Sequence, residues 1–233
     1  MGALDRYGTT LRVYDNAGKT LDRYTIIPPR NATEHRGNGA MNGGAPWGWA
    51  CIVSGVDPRG VSGHATATPG PHLGRRIAWD ALPEAVQRLA ARAFPEFVFD
   101  LETVARHFCI AAQWADCPEG TNPRTTRQAL RLARDYAREF MRAHPTLTAD
   151  AMACEGYGAH PDAGSPEAAF GHDLYLTARG HGVGFWCRDV LGATGEKLGD
   201  VMDEEWRRWY IEPEFYGGWM RLHANAYNKE SKA

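Results

Sequence analysis

The chain lacks every short signature that would name a reaction. Among its 233 residues there is no GxSxG elbow, no Walker phosphate loop, no GxGxxG turn and no HExxH helix, which removes the common serine-hydrolase, nucleotide-binding and zinc-protease readings. It lacks CxxC spacing as well. The five cysteines, Cys51, Cys109, Cys117, Cys154 and Cys187, are odd in number and scattered, so the expectation is free thiols in a reducing cytoplasm rather than a disulfide framework. No run of eighteen apolar residues argues for a membrane-spanning helix, and no basic-then-apolar start argues for secretion. Charge of one sign is also missing: the net charge is −2, so no global field demands a polyanion or a membrane surface.

What is present suits an ordinary folded protein. Hydrophobic residues make up 43% of the chain, enough to bury a sizeable core in one large or two small domains. The pattern predicts an α+β fold of two small modules, each built of β-hairpins packed with amphipathic helices. The first, residues 1–95, is a hairpin and a helix with a long glycine-rich loop. The second, residues 96–224, is a helical pair plus a hairpin, and residues 225–233 form a polar, frayed tail.

Leu11 to Tyr14 and Tyr24 to Ile27 read as strands joined through Asp15-Asn16-Ala17-Gly18, whose Asn and Gly supply turn chemistry. A third strand is expected over Trp49 to Ser54, inside the glycine- and proline-rich stretch from Pro28 to Pro71. Asp80 to Pro83 starts a helix that carries Val86, Leu89, Ala90 and Ala93 at helical spacing up to Pro95. Val98 to Trp114 fits a second amphipathic helix. Thr125 or Thr126 caps a third that runs to about Ala143, stopped by His144-Pro145. Met152 to Ala169 reads as loop. Gly195 to Trp209 suits a helix, and the segments around Ile211 and Trp219 to His223 read as further strands or turns.

The most informative stretch is GHDLYLTARGHGVGFWCRD, Gly171 to Asp189. Short β-branched and aromatic runs, Asp173 to Thr177 and Val183 to Arg188, flank Arg179-Gly180-His181-Gly182. Gly180 and Gly182 permit positive φ, so the stretch predicts a β-hairpin with His181 at its tip and His172 and Asp173 at its base. In a flat ribbon the two histidines stand about 20 Å apart, too far to share a metal. A histidine beside glycines is most often a turn residue or one satisfying a carbonyl. The functional alternative is catalysis by His172, Asp173 and His181, since His titrates near neutrality.

This core, with FCIAAQWADCPEG (Phe108 to Gly120) and ARDYAREFM (Ala133 to Met141) before it, resembles a group of small bacteriophage proteins that carry a GHDFWLTRNGHGAGFWDR-like run. The chain departs from that run at Leu174-Tyr175, Ala178-Arg179 and Cys187; the last replaces a carboxylate. VYDNAGKTLDRYTII (Val13 to Ile27) and HLGRRIAWDALPEAVQRL (His72 to Leu89) resemble a second group of phage proteins. Together the resemblances cover most of the chain. They imply a phage origin and bring no catalytic residues with them.

Two sets of residues carry metal-ligand side chains. His107, Cys109 and Cys117 lack a fourth ligand and the usual spacing, and Cys109 reads more simply as core. His160, Asp162, His172 and Asp173 have suitable donor types, but their spacing matches no metalloenzyme. No metal and no cofactor is expected. Arg124, Arg127, Arg131, Arg134, Arg138 and Arg142, at gaps of three, four, three, four and four, fall on one stripe of the third helix. Such a stripe is either a solvated face or the contact for an anionic partner, because guanidinium forks bind phosphates and carboxylates.

Three function classes follow. The leading one is a phage accessory protein in the host cytoplasm that binds a host or defence protein, supported by the absent catalytic motifs, the Arg stripe and the exposed-type aromatics Trp47, Trp49, Trp206, Trp209 and Trp219. The second is a small hydrolase or transferase that uses the His172/Asp173/His181 hairpin. The third is a nucleic-acid binder that uses the Arg stripe. No membrane partner is expected, and the sequence assigns no oligomeric state.

Overall fold

The computed structural model describes residues 11–19, 23–27, 51–52, 71–93, 95–159 and 163–224. The fold is α+β, and the chain divides into two compact units, 1–99 and 100–233. The first unit therefore extends past the expected end at Pro95, because the short helix there packs into its core.

In the first unit, β1 (Arg12–Asp15) and β2 (Tyr24–Ile27) form the antiparallel hairpin the sequence predicts, with Val13 opposite Ile26. The turn is held by the Asn16 side chain, whose Oδ1 accepts from the amides of Gly18 (2.9 Å) and Lys19 (3.2 Å). β3 (Cys51–Ile52) adds to β2, and β4 (Arg75–Ile77) adds to β1, giving the sheet order β3-β2-β1-β4. Two helices follow, α1 (Glu84–Ala93) and α2 (Pro95–Val98). Leu11, Val13, Ile26, Trp79, Leu82, Val86, Ala90 and Phe97 make the core of this unit.

The second unit is mainly helical. α3 (Leu101–Asp116) is capped by Asp100, whose carboxylate accepts from the Thr103 amide at 2.9 Å. β5 (Arg124–Thr125) leads into α4 (Arg127–Ala143), and Thr126 is the cap, with its hydroxyl accepting from the Ala129 amide. His144-Pro145 ends α4 but does not end helix: Pro145 sits in the first turn of α5 (Pro145–Met152), where its missing N–H costs nothing. α6 (Pro166–Ala178) crosses α3, and α7 (Ala193–Glu204) and α8 (Trp206–Trp209) lead to the hairpin of β6 (Ile211–Tyr216) and β7 (Trp219–Ala224). β5 runs parallel to β7, so this sheet has the order β5-β7-β6.

The side chain of Gln128 extends the pairing beyond β5. Its amide donates to the Leu222 carbonyl at 2.7 Å and accepts from the Leu222 amide at 3.3 Å, taking the place of a strand residue at the start of α4. The core between helices and sheet is aromatic. Phe108, Tyr136, Phe140 and Trp209 meet at ring-centroid distances of 5.1–5.6 Å, and the Tyr136 hydroxyl donates to the Trp209 carbonyl at 2.6 Å. Trp209, expected on the surface, is thus buried.

Candidate functional site

The stretch expected to be a hairpin, Asp173 to Arg188, is not one. Its first half belongs to α6, which starts with Ser165 as cap, its hydroxyl accepting from the Ala168 amide, and Pro166 in the first turn. The Arg179-Gly180-His181 turn closes this helix. Gly180 takes φ +67°, the His181 amide donates to the Leu176 carbonyl and the Gly180 amide to the Thr177 carbonyl, each at 3.0 Å. This is a Schellman cap, which needs the same left-handed glycine as a hairpin tip. Gly182 does not adopt positive φ, contrary to expectation, and a Cβ there would meet nothing within 4 Å. The chain then makes two short 3-10 turns, Phe185–Cys187 and Asp189–Leu191.

Each residue of Gly171-His172-Asp173 faces a different structural task. Gly171 lies where α6 crosses α3: an ideal Cβ would stand 2.3 Å from the Val104 carbonyl oxygen. Its hydrogen lets the helices touch backbone to backbone. The His172 ring lies 5.4 Å from that of His107 on α3, and burial, helped by the charge of Arg106, lowers the pKa of His107.

Asp173 is fully buried. Its carboxylate accepts from Arg188 Nε at 2.9 and 3.0 Å and from the Tyr157 hydroxyl at 2.9 Å. The ion pair fastens the 3-10 segment to α6, and the hydrogen bond fastens the loop after α5. The bond to Asp173 raises the Arg188 pKa further, while burial, reinforced by the neighbouring carboxylate, raises that of Tyr157.

His181 turns to a different carboxylate. Asp116, the last residue of α3, accepts from His181 Nε2 at 3.2 Å and from the buried Tyr175 hydroxyl, and the Arg179 Nε stands 3.5 Å away. Arg179 in turn donates to the Ile211 carbonyl at 3.2 Å. Burial would raise the Asp116 pKa, but the bonds from Tyr175 and His181 and the charge of Arg179 outweigh it, so the carboxyl sits below its ordinary value.

The His172 ring thus stands beside His107, Asp173 is bonded to Arg188 and Tyr157, and His181 is bonded to Asp116. His181 has an acidic partner as a general base would, but no serine, threonine or cysteine is bonded to it among the described residues. No group of three metal-ligand side chains comes together among the described residues either. His160 and Asp162 lie outside them. Cys109 is buried in the core, and burial pushes its thiol up to about 12, which makes it inert.

Replacing Asp116 with Asn is expected to cost about 1–2 kcal/mol at neutral pH, the loss of a charge-assisted acceptor for partly buried donors. Because the folded pKa is depressed, the carboxylate's contribution is complete above the unfolded value of about 3.9 and fades as pH falls through the folded value. The gap between wild type and Asp116→Asn in urea unfolding should thus close in that acid range. A gap that persists unchanged there would show that charge is not the source.

The Arg stripe divides into two halves. Arg134 pairs with Glu102 of α3 at 2.6 Å and Arg138 with Asp135 at 2.6 Å, and Arg142 also has a partner. Arg124, Arg127 and Arg131 are exposed, and no carboxylate pairs with them among the described residues. Arg124 belongs to β5 rather than to the helix, and its guanidinium lies 6.0 Å from the centre of the Trp219 ring. Trp219 is 47% exposed, and its cross-strand neighbour Tyr216 is 84% exposed. The two flank a Gly217-Gly218 turn with both φ positive. Trp114 on α3 is 72% exposed. Trp206 and Trp219, expected at the surface, are exposed, and so are Trp114 and Tyr216, which the apolar pattern does not mark. The position of Tyr216 was readable from the Gly-Gly turn signal. Trp47 and Trp49 lie outside the described residues. Comparison with protein-family models, with curated proteins and with solved structures finds no match.

Proposed function

We propose that this chain is a phage-encoded accessory protein that acts by binding, not catalysis, and that its contact face is the β5 edge with the adjoining hairpin tip: Arg124, Arg127, Arg131, Tyr216 and Trp219. The observation that carries this reading is the contrast in how polar side chains are used. Asp173, Arg188, Asp116 and Arg179 are tied up in internal ion pairs, whereas Arg124 on β5 and Arg127 and Arg131 at the start of α4 are exposed with no acid partner among the described residues, and Trp219 and Tyr216 at the β6–β7 turn also reach solvent. Exposed aromatics beside Arg are the residue types that anchor interfaces, and unpaired guanidiniums select an anionic surface. The partner expected from these features is an anionic macromolecule of the infected bacterium.

Immobilised protein should retain such a partner from bacterial lysate, and the variant Arg124→Glu/Arg127→Glu/Arg131→Glu should lose it while melting within a few degrees of wild type. Surface charges of this kind contribute only a few tenths of a kcal/mol each to folding. Equal retention by the folded variant would refute the assignment of the face.

A further inference from the structure

We infer that the partner of this face is single-stranded nucleic acid, held by base stacking on Trp219 and Tyr216 and by phosphate contacts from Arg124, Arg127, Arg131 and Arg221. The inference rests on the binding reading above and names its ligand.

The geometry has two parts. Across the sheet, Arg124, Trp219 and Tyr216 are register neighbours on β5, β7 and β6. With strands about 4.8 Å apart, they form a row about 10 Å long. Trp219 and Tyr216 are the ring-bearing members of that row, and both rings reach solvent. Two register pairs further along, Arg221 lies opposite Glu214, but Glu214 bonds to His223 at 3.2 Å, and Arg221 is exposed with no acid partner among the described residues. Along the chain, α4 follows β5 directly, and its exposed Arg127 and Arg131 are one turn, about 6 Å, apart.

A sheet edge that combines exposed aromatic rings with a basic track is the arrangement that binds unpaired strands, because every base offers a π-face and every nucleotide a phosphate. A duplex hides its base faces, so it would use the arginines alone and leave both rings idle. Glu212 and Glu214 on the β6 side of the sheet disfavour a strand path in that direction and direct it toward β5 and α4. An acidic protein could pair with the arginines, but nothing in such a partner calls for two rings at adjacent register positions.

The test is fluorescence-anisotropy titration of the full chain with a labelled oligothymidylate of about twenty nucleotides, the corresponding oligouridylate, and a duplex of equal length. Binding should be tighter for either single strand than for the duplex. It should weaken roughly twenty- to fiftyfold between 50 and 200 mM salt, as three or four phosphate contacts imply. Trp219→Ala should weaken it about tenfold or more, with Trp219→Phe restoring most of the loss because stacking needs only a flat ring. The Arg124→Glu/Arg127→Glu/Arg131→Glu variant should abolish it. Equal binding of duplex and single strand, or no loss in Trp219→Ala with the melting temperature preserved, would overturn the inference. So would absence of oligonucleotide binding while a nuclease-resistant protein partner is retained through the same arginines, an outcome that leaves the binding reading intact. Retention of no lysate component at all would overturn both.

Discussion

Gly171→Ala should destabilise the second unit by about 3 kcal/mol, although the same exchange inside an ordinary helix stabilises it by up to about 1 kcal/mol. The sign is decided by the crossing of α6 and α3. The added methyl would stand 2.3 Å from the Val104 carbonyl oxygen and 3.0 Å from the Phe108 amide nitrogen, and both are helix backbone, which cannot rotate aside. The helices must separate, which loosens the packing of Phe108 against Tyr136 and Tyr175 and forfeits close contacts over much of the shared face. Urea unfolding followed by circular dichroism would measure this as a clear drop in midpoint. A midpoint at or above wild type would mean that the two backbones do not touch there. Gly171→Val should prevent cooperative folding of this unit.

Asp173→Ala is expected to cost about 3 kcal/mol and to lower the melting temperature by about 10 °C. Removing one member of a buried ion pair leaves the other charge without compensation, and here Tyr157 also loses the acceptor for its buried hydroxyl. The figure lies at the lower end of the usual range because the Arg188 side chain is 43% exposed and can turn to water. The damage should concentrate at the two segments that the carboxylate ties to α6, the loop at Tyr157 and the 3-10 turns around Phe185 and Leu191. Hydrogen exchange in those segments should quicken in the variant before it does in α3 or α4. Uniform protection throughout would indicate that the pair does not hold these segments.

These two substitutions also show why the sequence misled at its most distinctive stretch. α6 buries Ala168 through Gly171 and Asp173 through Thr177, so it has little polar face, and with no polar face a 3.6-residue period cannot be seen. A short apolar run rich in Leu, Tyr and Thr then looks like a strand. The left-handed glycine at Gly180 did not discriminate, since a Schellman cap and a hairpin tip both ask for one. A discriminating signal was present upstream: Ser165-Pro166-Glu167 combines a cap residue, a first-turn proline and an acid at the positive helix end. The elements with one solvent face were legible. α1, α3 and α4 and the β1–β2 hairpin lie close to where their periodicities and turn residues placed them.

The candidate face was legible in part. The gaps of three and four marked the arginines, but not which of them would find acids, because Glu102 meets Arg134 only through the packing of α3 on α4. Nor did spacing place Arg124 beside Trp219, which lies 95 residues later and arrives through the parallel pairing of β5 with β7. Adjacency to glycine in sequence did not show that His172 would lie on a helix and His181 just past its end. On α6 the neighbours His172 and Asp173 point about 100° apart, and so reach different partners.

The most direct measurement is partner retention by two folded variants side by side, each held well below its own melting temperature. If the signature residues build the scaffold and the arginine-aromatic edge does the binding, Asp173→Ala should retain the bacterial partner with affinity close to wild type. Arg124→Glu/Arg127→Glu/Arg131→Glu, though more stable than Asp173→Ala, should retain none. The reverse result, binding lost in folded Asp173→Ala and kept in the arginine variant, would contradict this division and return the function to the Gly171–Asp189 stretch.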